Sequence, residues 1–435
     1  MASIDAQNIP LILAKDLLDL TVAATQEAQQ NGSSLFDFSV DATARPTTDR
    51  YADLQAKINT AAFDLVRLIS GPKVMYRHLF VSHYDLAAYQ VALEFDFFNL
   101  VPLDGTISVS ALAEKAGMDS DRAERILRTL ATQRVFEEVP VQGGTAFKHT
   151  AASALIVKEP LLKDAFLMQA DEMFRAAAEA SQSIRESPFE SSPEKCGFYT
   201  KYGQSTYEWY KTKPDKAKRF ANAMAGLTQL DRQTKQLHEE FDWAKIKGTV
   251  VDVGGGSGHV SLSLAQKFDH LHFIVQDASP VMLSQGESLW TGSLKNRVQF
   301  KQHNYYEPQP IRDAGAFFIR QVVHNLNDSQ FIKLLQAAIP ALEECEPETP
   351  LLINDTVLPN PGEKPAWEEW SLRQMDLCMW VCFGAKQRSV DEFRKLIREA
   401  DSRLELVKVH STGPMGLLEV QLLSQGHSTN GVNGH

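Results

Sequence analysis

The chain has 435 residues, of which 43% are hydrophobic and 23% charged, and its formal net charge is −11. This length suffices for two or three globular domains, and the negative balance argues against nucleic acid or an anionic membrane as the main partner. The four cysteines form no C-x-x-C pair, so they predict neither a disulfide framework nor a zinc site. No signal peptide and no membrane-spanning run stands out, and we expect a cytoplasmic protein.

Residues 1–93 carry helical patterns over Pro10–Gln30, Tyr51–Leu68 and Met75–Leu93. Helices this apolar need a surface to cover them. A second copy of the chain is one candidate for that surface, and the rest of the same chain is the other.

Residues 94–155 follow the order helix, helix, helix, hairpin, which is typical of a winged-helix module. Ser108 is placed to cap a helix that ends at Gly117, and two short strands flank Gln142-Gly143-Gly144. A DNA-binding function is the tempting interpretation. The arginines of the candidate recognition helix are interleaved with acidic residues, however, and the whole chain is acidic, so we place DNA binding last.

Residues 156–240 are mostly helical in pattern and rich in Met, Phe and Tyr, which suits either a pocket for a flat apolar substrate or ordinary core. Residues 241–425 alternate strands and helices, which predicts a doubly wound α/β sheet whose last two strands pair antiparallel. Asp328 is expected to cap one of its helices, and Ser389 to cap the last. The polar tail, residues 426–435, is predicted to be disordered.

A short apolar run, Val250–Val253, leads into a glycine-rich segment and then into a helical pattern from His259. Gly254, Gly256 and Gly258 have the spacing G-x-G-x-G, shorter than the G-x-G-x-x-G of dinucleotide-binding folds. Two acids accompany this predicted strand, turn and helix.

Asp252 precedes the glycines and suits a cationic ligand better than a pyrophosphate. Asp277 lies ~20 residues beyond them, where an acid binds ribose hydroxyls. The pattern therefore indicates an adenosine ligand without phosphates, S-adenosylmethionine; glycines that serve packing alone are the alternative.

Five polar side chains are expected at the carboxyl ends of strands, where open α/β sheets bind ligands: Asp252, Asp277, Asn304, His324 and Asp355. An imidazole titrates near neutral pH, so His324 is the best candidate for a general base. Asp355 would orient it and stabilise its protonated form. The alternative is a histidine with a purely structural role.

These motifs, together with Arg320-x-x-x-His324 and Asp355-x-x-Leu358-Pro359, resemble the small-molecule O-methyltransferases of the plant caffeate and flavonoid type, which also occur in fungal secondary metabolism. The resemblance covers most of the chain. It implies a class I, Rossmann-like methyltransferase domain and an N-terminal helical and winged-helix region used for dimerisation. It also implies a homodimer and S-adenosyl-L-methionine as cofactor. No metal is expected, since a general base replaces metal activation of the hydroxyl and the sequence shows no cluster of ligands.

The resemblance also implies a role for each matching residue. The methionine part of the cofactor would be held by Asp252, Gly254, Gly255, Gly256 and Gly258. Asp277 would bind ribose, Asn304 and Tyr305 would flank adenine, and Arg320 would lie beside the cofactor. His324 matches the catalytic base, and Asp355 matches the first of two acids that flank it.

Two departures from the family pattern concern this base. His324-Asn325-Leu326 stands where His-Asp-Trp is usual, and Gln387 stands where the second flanking acid is usually Glu. With only one acid beside it, His324 is expected to have a lower pKa and to be a weaker base. Methyl transfer to a phenolic or enolic hydroxyl of an aromatic or polyketide-like metabolite is the first hypothesis. A pericyclase of the same fold that binds the cofactor without methylating is the second.

The segment Trp367–Phe383 is expected to be a helix that contributes to substrate specificity. Met375 and Met379 are one turn apart and share a face, and methionine adapts to irregular apolar ligands. We predict that both face the substrate while the tryptophans fix the helix. Core filling by the methionines is the alternative.

Overall fold

The computed structural model describes residues 8–33, 36–141, 144–230 and 233–423. The predicted disordered tail, residues 426–435, lies outside the described residues. The chain divides into two compact units: one comprises Met1–Ala178, Tyr207–Asp231 and Pro365–Glu368, and the other comprises Glu179–Thr206, Arg232–Lys364 and Glu369–His435. None of the described helices is both long and apolar enough to cross a membrane.

The α-helices of the described residues are, in chain order, α1 (Ile9–Gln30), α2 (Asp49–Glu94), α3 (Phe97–Leu100), α4 (Val109–Ala116), α5 (Ser120–Thr132), α6 (Ala151–Lys158), α7 (Pro160–Met168), α8 (Phe174–Ala178), α9 (Ala180–Glu186), α10 (Gly197–Tyr202), α11 (Thr206–Lys211), α12 (Pro214–Leu230), α13 (Gln233–Glu240), α14 (His259–Lys267), α15 (Pro280–Leu289), α16 (Asp328–Leu342), α17 (Ala366–Phe383) and α18 (Val390–Ala400). The strands are β1 (Ile107–Ser108), β2 (Phe136–Val141), β3 (Gly144–His149), β4 (Thr249–Val253), β5 (His272–Asp277), β6 (Val298–Gln302), β7 (Ala314–Arg320), β8 (Leu351–Leu358), β9 (Arg388–Ser389), β10 (Leu404–Ser411) and β11 (Gly413–Leu422).

The first unit begins with the predicted N-terminal helices. The two predicted segments after residue 50 are the two arms of α2, which meet at Gly71. This residue has φ of 70°, a conformation that glycine adopts without strain, and Pro72 follows it. The predicted break between two helical segments is therefore a kink within one long helix.

The winged-helix pattern is present in the same unit. The Ser108 hydroxyl accepts the Ala111 N–H at 3.2 Å, and α4 ends at Gly117 in the left-handed conformation, as predicted. The strands form a three-stranded sheet in the order β1-β3-β2. Strand β1 was not predicted, because its two residues are too few to show a period.

The second unit contains an eight-stranded sheet in the order β10-β11-β8-β7-β4-β5-β6, with β9 beside β8. Strands β4 to β8 run parallel, whereas β11 is antiparallel to both β8 and β10. The chain continues from β4 to β5 on one side, while β7 lies on the other. Such a reversal of strand order opens a crevice at the carboxyl ends of the strands, which is where ligands bind in this architecture.

Strand β8 is longer than predicted. The sequence predicts an end at Asn354-Asp355, but the strand continues to Leu358. Pairing with β11 explains the extension, because Asp355 is opposite Gly416 and Val357 is opposite Gly413. Asp355 therefore lies within a strand, with its backbone fixed by the sheet.

The predicted cap at Asp328 is wrong by one residue. Asn327 caps α16: its side-chain oxygen accepts the Gln330 N–H at 3.0 Å, and the Gln330 side chain accepts the Asn327 N–H at 3.0 Å. Asp328 instead binds the buried Arg388 guanidinium at 2.8 and 3.0 Å. The predicted cap of α18 by Ser389 is present.

Candidate functional site

The glycine-rich segment is a tight turn between β4 and α14. Gly254, Gly256 and Gly258 have φ of 72°, 58° and 67°. The Gly255 N–H donates to the carbonyl of Gln276 at 2.9 Å, and the Gly256 N–H donates to Oδ2 of Asp277 at 3.0 Å. The turn is therefore tied to the end of β5 by two hydrogen bonds.

Gly255 is required by the packing beneath the turn. A Cβ at this position would lie 2.4 Å from the carboxyl carbon of Asp252, whereas atoms in contact stay beyond about 3.4 Å. A side chain here would have to displace a buried carboxylate. The turn thus presents backbone alone at this point.

Asp252 is a buried carboxyl group directly beneath the turn, with 3% of its surface exposed. Burial raises its pKa to about 6, opposed by the Ser261 hydroxyl, which donates at 2.6 Å, and by the positive charge of Arg320. A cationic ligand nearby would favour the ionised form. Ser261 was missed by the sequence analysis, although its position in the first turn of α14 was a usable signal.

Asp277 ends β5 and holds the backbone around it. Its Oδ1 accepts the Ser279 N–H at 2.8 Å, in addition to the Gly256 contact, and its carbonyl accepts the His303 N–H at 3.0 Å. Each carboxylate oxygen accepts more than one hydrogen bond. Asp277 therefore retains capacity for hydroxyl donors such as those of ribose.

Asn304 and Tyr305 follow β6 and lie in the loop that begins at His303. Asn304 is exposed, and its side-chain oxygen accepts the Tyr306 N–H at 3.1 Å. The Tyr305 ring lies beside the glycine turn, since a Cβ at Gly254 would be 3.7 Å from it. The Tyr305 ring is therefore close to the turn, and Asn304 precedes it in the same loop.

Arg320 ends β7, and its guanidinium donates to the side-chain oxygen of Asn354. The Asn354 amide in turn donates to the carbonyls of Met415 and Gly416 at 3.3 and 3.1 Å. Asn354 is thus a buried support for Arg320 that the sequence analysis did not assign. An asparagine directly after the apolar run Leu351–Ile353 was the available signal.

His324 lies in a short 3-10 helix, Val323–Asn325, just after β7. Its Nδ1 is 2.7 Å from Oδ1 of Asp355, and the imidazole is 19% exposed while the carboxyl group is 1% exposed. Asp355 also accepts the backbone N–H groups of Val323, His324 and Thr356 at 2.8, 3.1 and 2.8 Å. The carboxylate therefore fixes both the ring and the backbone that carries it.

Protonation of this pair follows from its contacts. Burial opposes charge on Asp355, but His324 and the backbone donors outweigh it, and the pKa of Asp355 is lowered. Burial also opposes charge on His324, yet Asp355 outweighs it, and the pKa of His324 is raised. An ionised Asp355 only accepts, so Nδ1 carries the hydrogen and Nε2 is left as the acceptor. With only one acid beside it, His324 was expected to have a lower pKa. Its pKa nevertheless lies above the ordinary value of a histidine.

Gln387 lies at the edge of this pair. It is buried, its N–H donates to Oδ1 of Asp376 at 2.8 Å, and its Nε2 donates to the Thr356 hydroxyl at 3.3 Å. That hydroxyl donates to the carbonyl of Pro414 at 3.0 Å. Among the described residues, the Gln387 Oε1 has no hydrogen-bond partner. Gln387 thus reaches the residue next to Asp355, with a neutral side chain.

Met375 and Met379 lie one turn apart on α17, as predicted, but they differ in burial. Met375 is 42% exposed and Met379 is 8% exposed. The tryptophans of the helix differ as well: the Trp367 ring packs 4.5 Å from Phe63, whereas Trp370 is largely exposed. The assignment of the two methionines to the substrate stays a prediction.

Comparison with known protein families gives two matches. A family described as "O-methyltransferase domain" matches residues 182–402, and one described as "O-methyltransferase dimerisation domain" matches residues 78–159. The chain is 45% identical to O-methyltransferase sol2 of Alternaria solani over 410 residues, which covers 94% of each protein.

Solved structures with the same fold include OxaC in complex with sinefungin and meleagrin. It has a TM-score of 0.73 and 20% sequence identity, and the alignment covers 96% of this chain and all of that one. A structure described as "A Pericyclic Reaction enzyme" has a TM-score of 0.71 and 20% identity, over 94% of this chain and all of that one. At this level of identity both likenesses concern the fold.

Proposed function

The chain belongs to the O-methyltransferase family, and on that premise we propose that it methylates a hydroxyl of an aromatic or polyketide-like secondary metabolite, with His324 as general base. The observation that carries the proposal is the contact of 2.7 Å between His324 Nδ1 and Asp355 Oδ1. It leaves Nε2 as the acceptor for the proton of a substrate hydroxyl. Asp355 then stabilises the imidazolium that forms.

The cofactor is S-adenosyl-L-methionine, which when bound supplies an electrophilic methyl group. The residues present fit it: the turn exposes backbone where a Cβ would collide with Asp252, and the buried Asp252 favours a cationic neighbour. We assign Asp252 and the Gly254–Gly258 turn to its amino-acid part and Asp277 to its ribose. Asn304 and Tyr305 would flank adenine, with Arg320 beside the cofactor.

The substrate would be bound by Met375 and Met379 on α17. A thioether chain adapts to a flat apolar ring and contacts it favourably. The intermediate exposure of His324 is consistent with a base that a substrate reaches. The hydroxyl itself would be phenolic or enolic, because such a proton is acidic enough for an imidazole to remove.

We also infer that the protein is a homodimer. The dimerisation-domain match includes residues 78–94 of α2, which expose several large apolar side chains: Leu79, Phe80, Val81, Tyr84 and Leu86. An exposed apolar surface of this kind is typical of an interface between subunits.

A pericyclase that binds the cofactor without methylating is the second candidate. The neutral Gln387 favours this second candidate. Its side chain binds Thr356, the residue next to Asp355, but it supplies no second carboxylate to support the base. A base with only one acid nearby is less supported than a base with two.

Incubation with S-adenosylmethionine labelled in its methyl group separates the two candidates. The protein is mixed with phenolic and enolic polyketide metabolites, and products are analysed by mass spectrometry. The proposal expects a product that carries the label. Its mass should exceed that of the substrate by about 14 mass units for the added CH₂, plus the extra mass of the isotope. An isomer of unchanged mass, with no label incorporated, would support the pericyclase instead.

A further inference from the structure

Two buried glutamines, Gln276 and Gln309, bind each other through both ends of their amides. Gln276 Nε2 donates to Gln309 Oε1 at 2.9 Å, and Gln309 Nε2 donates to Gln276 Oε1 at 2.8 Å. Their exposed fractions are 1% and 4%. Neither amide has been given a role by the assignments above.

The orientation of the pair is determined by a neighbouring donor. The backbone N–H of Ile311 lies 3.2 Å from Oε1 of Gln309. An N–H only donates, so the Gln309 atom it meets must be the oxygen, and Nε2 must face Gln276. The two amides are therefore complementary only in this arrangement.

The pair joins the segments assigned to the cofactor. The backbone carbonyl of Gln276 accepts the Gly255 N–H at 2.9 Å, and the next residue is Asp277. Gln309 closes the loop that carries Asn304 and Tyr305, and its own N–H donates to the carbonyl of Ala337 in α16 at 2.9 Å. The side-chain pair thus connects the end of the adenine loop to the residue that precedes the ribose acid and whose backbone carbonyl binds the glycine turn.

The loop depends on this side-chain contact because its backbone lacks N–H donors on both sides of Gln309. Gln309 stands between Pro308 and Pro310, which have no N–H to offer to the neighbouring strand. At its start the loop is tied to β5 by the His303 N–H, which donates to the Asp277 carbonyl at 3.0 Å. At its end the Gln309 side chain supplies the connection to β5.

We propose that Gln276 and Gln309 are positioning residues that hold the adenine loop in its binding conformation before the cofactor arrives. The proposal rests on the assignment of Asn304 and Tyr305 to adenine. A loop fixed beforehand loses little conformational freedom on binding, so affinity is gained without any contact between the amides and the ligand.

The test compares Gln276→Leu, Gln309→Leu and the double variant with the wild-type chain. Dissociation constants for S-adenosylhomocysteine are measured by calorimetry, and amide exchange over residues 303–311 is measured without ligand. Each single variant should bind about tenfold or more weakly and exchange faster over the loop, because it leaves a buried amide unpaired. The double variant should bind no more weakly than the weaker single variant, since the two losses belong to one interaction.

Leu127→Ala is the matched control, because it opens a cavity in a hydrophobic cluster of the first unit that contains none of residues 303–311, and it lowers the melting temperature. It should bind S-adenosylhomocysteine like the wild type. Glutamine variants that lose melting temperature but keep wild-type affinity would overturn the positioning role.

If a leucine variant does not fold, Gln309→Asn, which keeps the amide but is one methylene shorter, takes its place with the same expectation. A wild-type chain that fails to bind S-adenosylhomocysteine would overturn the cofactor assignment itself, and the positioning role with it.

Discussion

Asp355 holds the candidate catalytic pair in place through several hydrogen bonds. It accepts three backbone N–H groups and faces the imidazole of His324. The sequence predicted both residues and their partnership, because each follows an apolar run. It did not show that Asp355 lies inside β8, since that depends on how far β11 pairs beside it. The backbone donors explain why one carboxylate is enough to raise the pKa of His324.

Gln387→Glu should shift the pH dependence of turnover. His324 acts as a base only when neutral, and its pKa is already raised, so activity increases as the pH rises through that pKa. An added carboxylate near Asp355 raises the pKa of His324 further. The acidic limb of kcat/KM should therefore move to higher pH, with activity lower by about three- to tenfold on the acidic side.

The pH–rate profile of this variant is measured beside that of Gln387→Met, which also loses the amide but adds no charge. The methionine variant should keep the wild-type limb. A limb that stays in place in the glutamate variant, or moves to lower pH, would show that residue 387 does not act on His324 electrostatically.

At the scale of elements, the sequence predicted helices and strands well where their periodicity was strong. The glycine turn, α14 and the antiparallel β10–β11 pair were all foreseen. The cap at Asn327 was missed because Asp328 is an equally good capping residue, and only the pairing of Asp328 with Arg388 decides between them. The Gln276–Gln309 contact could not be predicted from the sequence either, because no local sequence pattern relates two glutamines that are 33 residues apart.

Helix α17 carries the prediction that belongs to this scale. Replacing Met375 and Met379 together with leucine nearly conserves volume but removes flexible thioethers that fit irregular ligands. We expect kcat/KM to change severalfold between the true substrate and shape-altered analogues, with a loss of stability below about 1.5 kcal/mol. Turnover on the substrate series and thermal melts check this.

Leu372→Met is the matched control, because it exchanges the same side-chain types at a buried position of the same helix. Its selectivity should be that of the wild type. If the double methionine variant shows only a lower melting temperature with unchanged selectivity, this face of α17 belongs to the core.

At the scale of the whole molecule, fold class was the most predictable property. Alternating strands and helices fix the layered arrangement, and the antiparallel end of the sheet follows from the short connection at Thr412. Oligomeric state is less accessible, because an apolar helix face has the same pattern whether a partner or the same chain covers it. In α2, Ile69 and Phe80 are 72% and 69% exposed.

Ile69→Asp and Phe80→Asp together should therefore shift the protein from dimer to monomer, because charges would be buried against apolar surface. Light scattering after size-exclusion chromatography reports the mass. Gln299→Asp is the control, since it places a charge on an exposed polar residue of the other unit and should not affect association. A double variant that remains dimeric would place the interface elsewhere.

Turnover of His324→Ala tests the central claim most directly, measured as methyl transfer to the true substrate together with cofactor affinity. His272→Ala, at an exposed position at the start of β5, serves as the control and should be unaffected. If His324 is the general base, its removal lowers kcat by about 10² to 10⁴-fold and leaves the dissociation constant for S-adenosylhomocysteine unchanged. Methylation at the wild-type rate by a His324→Ala protein that binds cofactor normally would contradict the account.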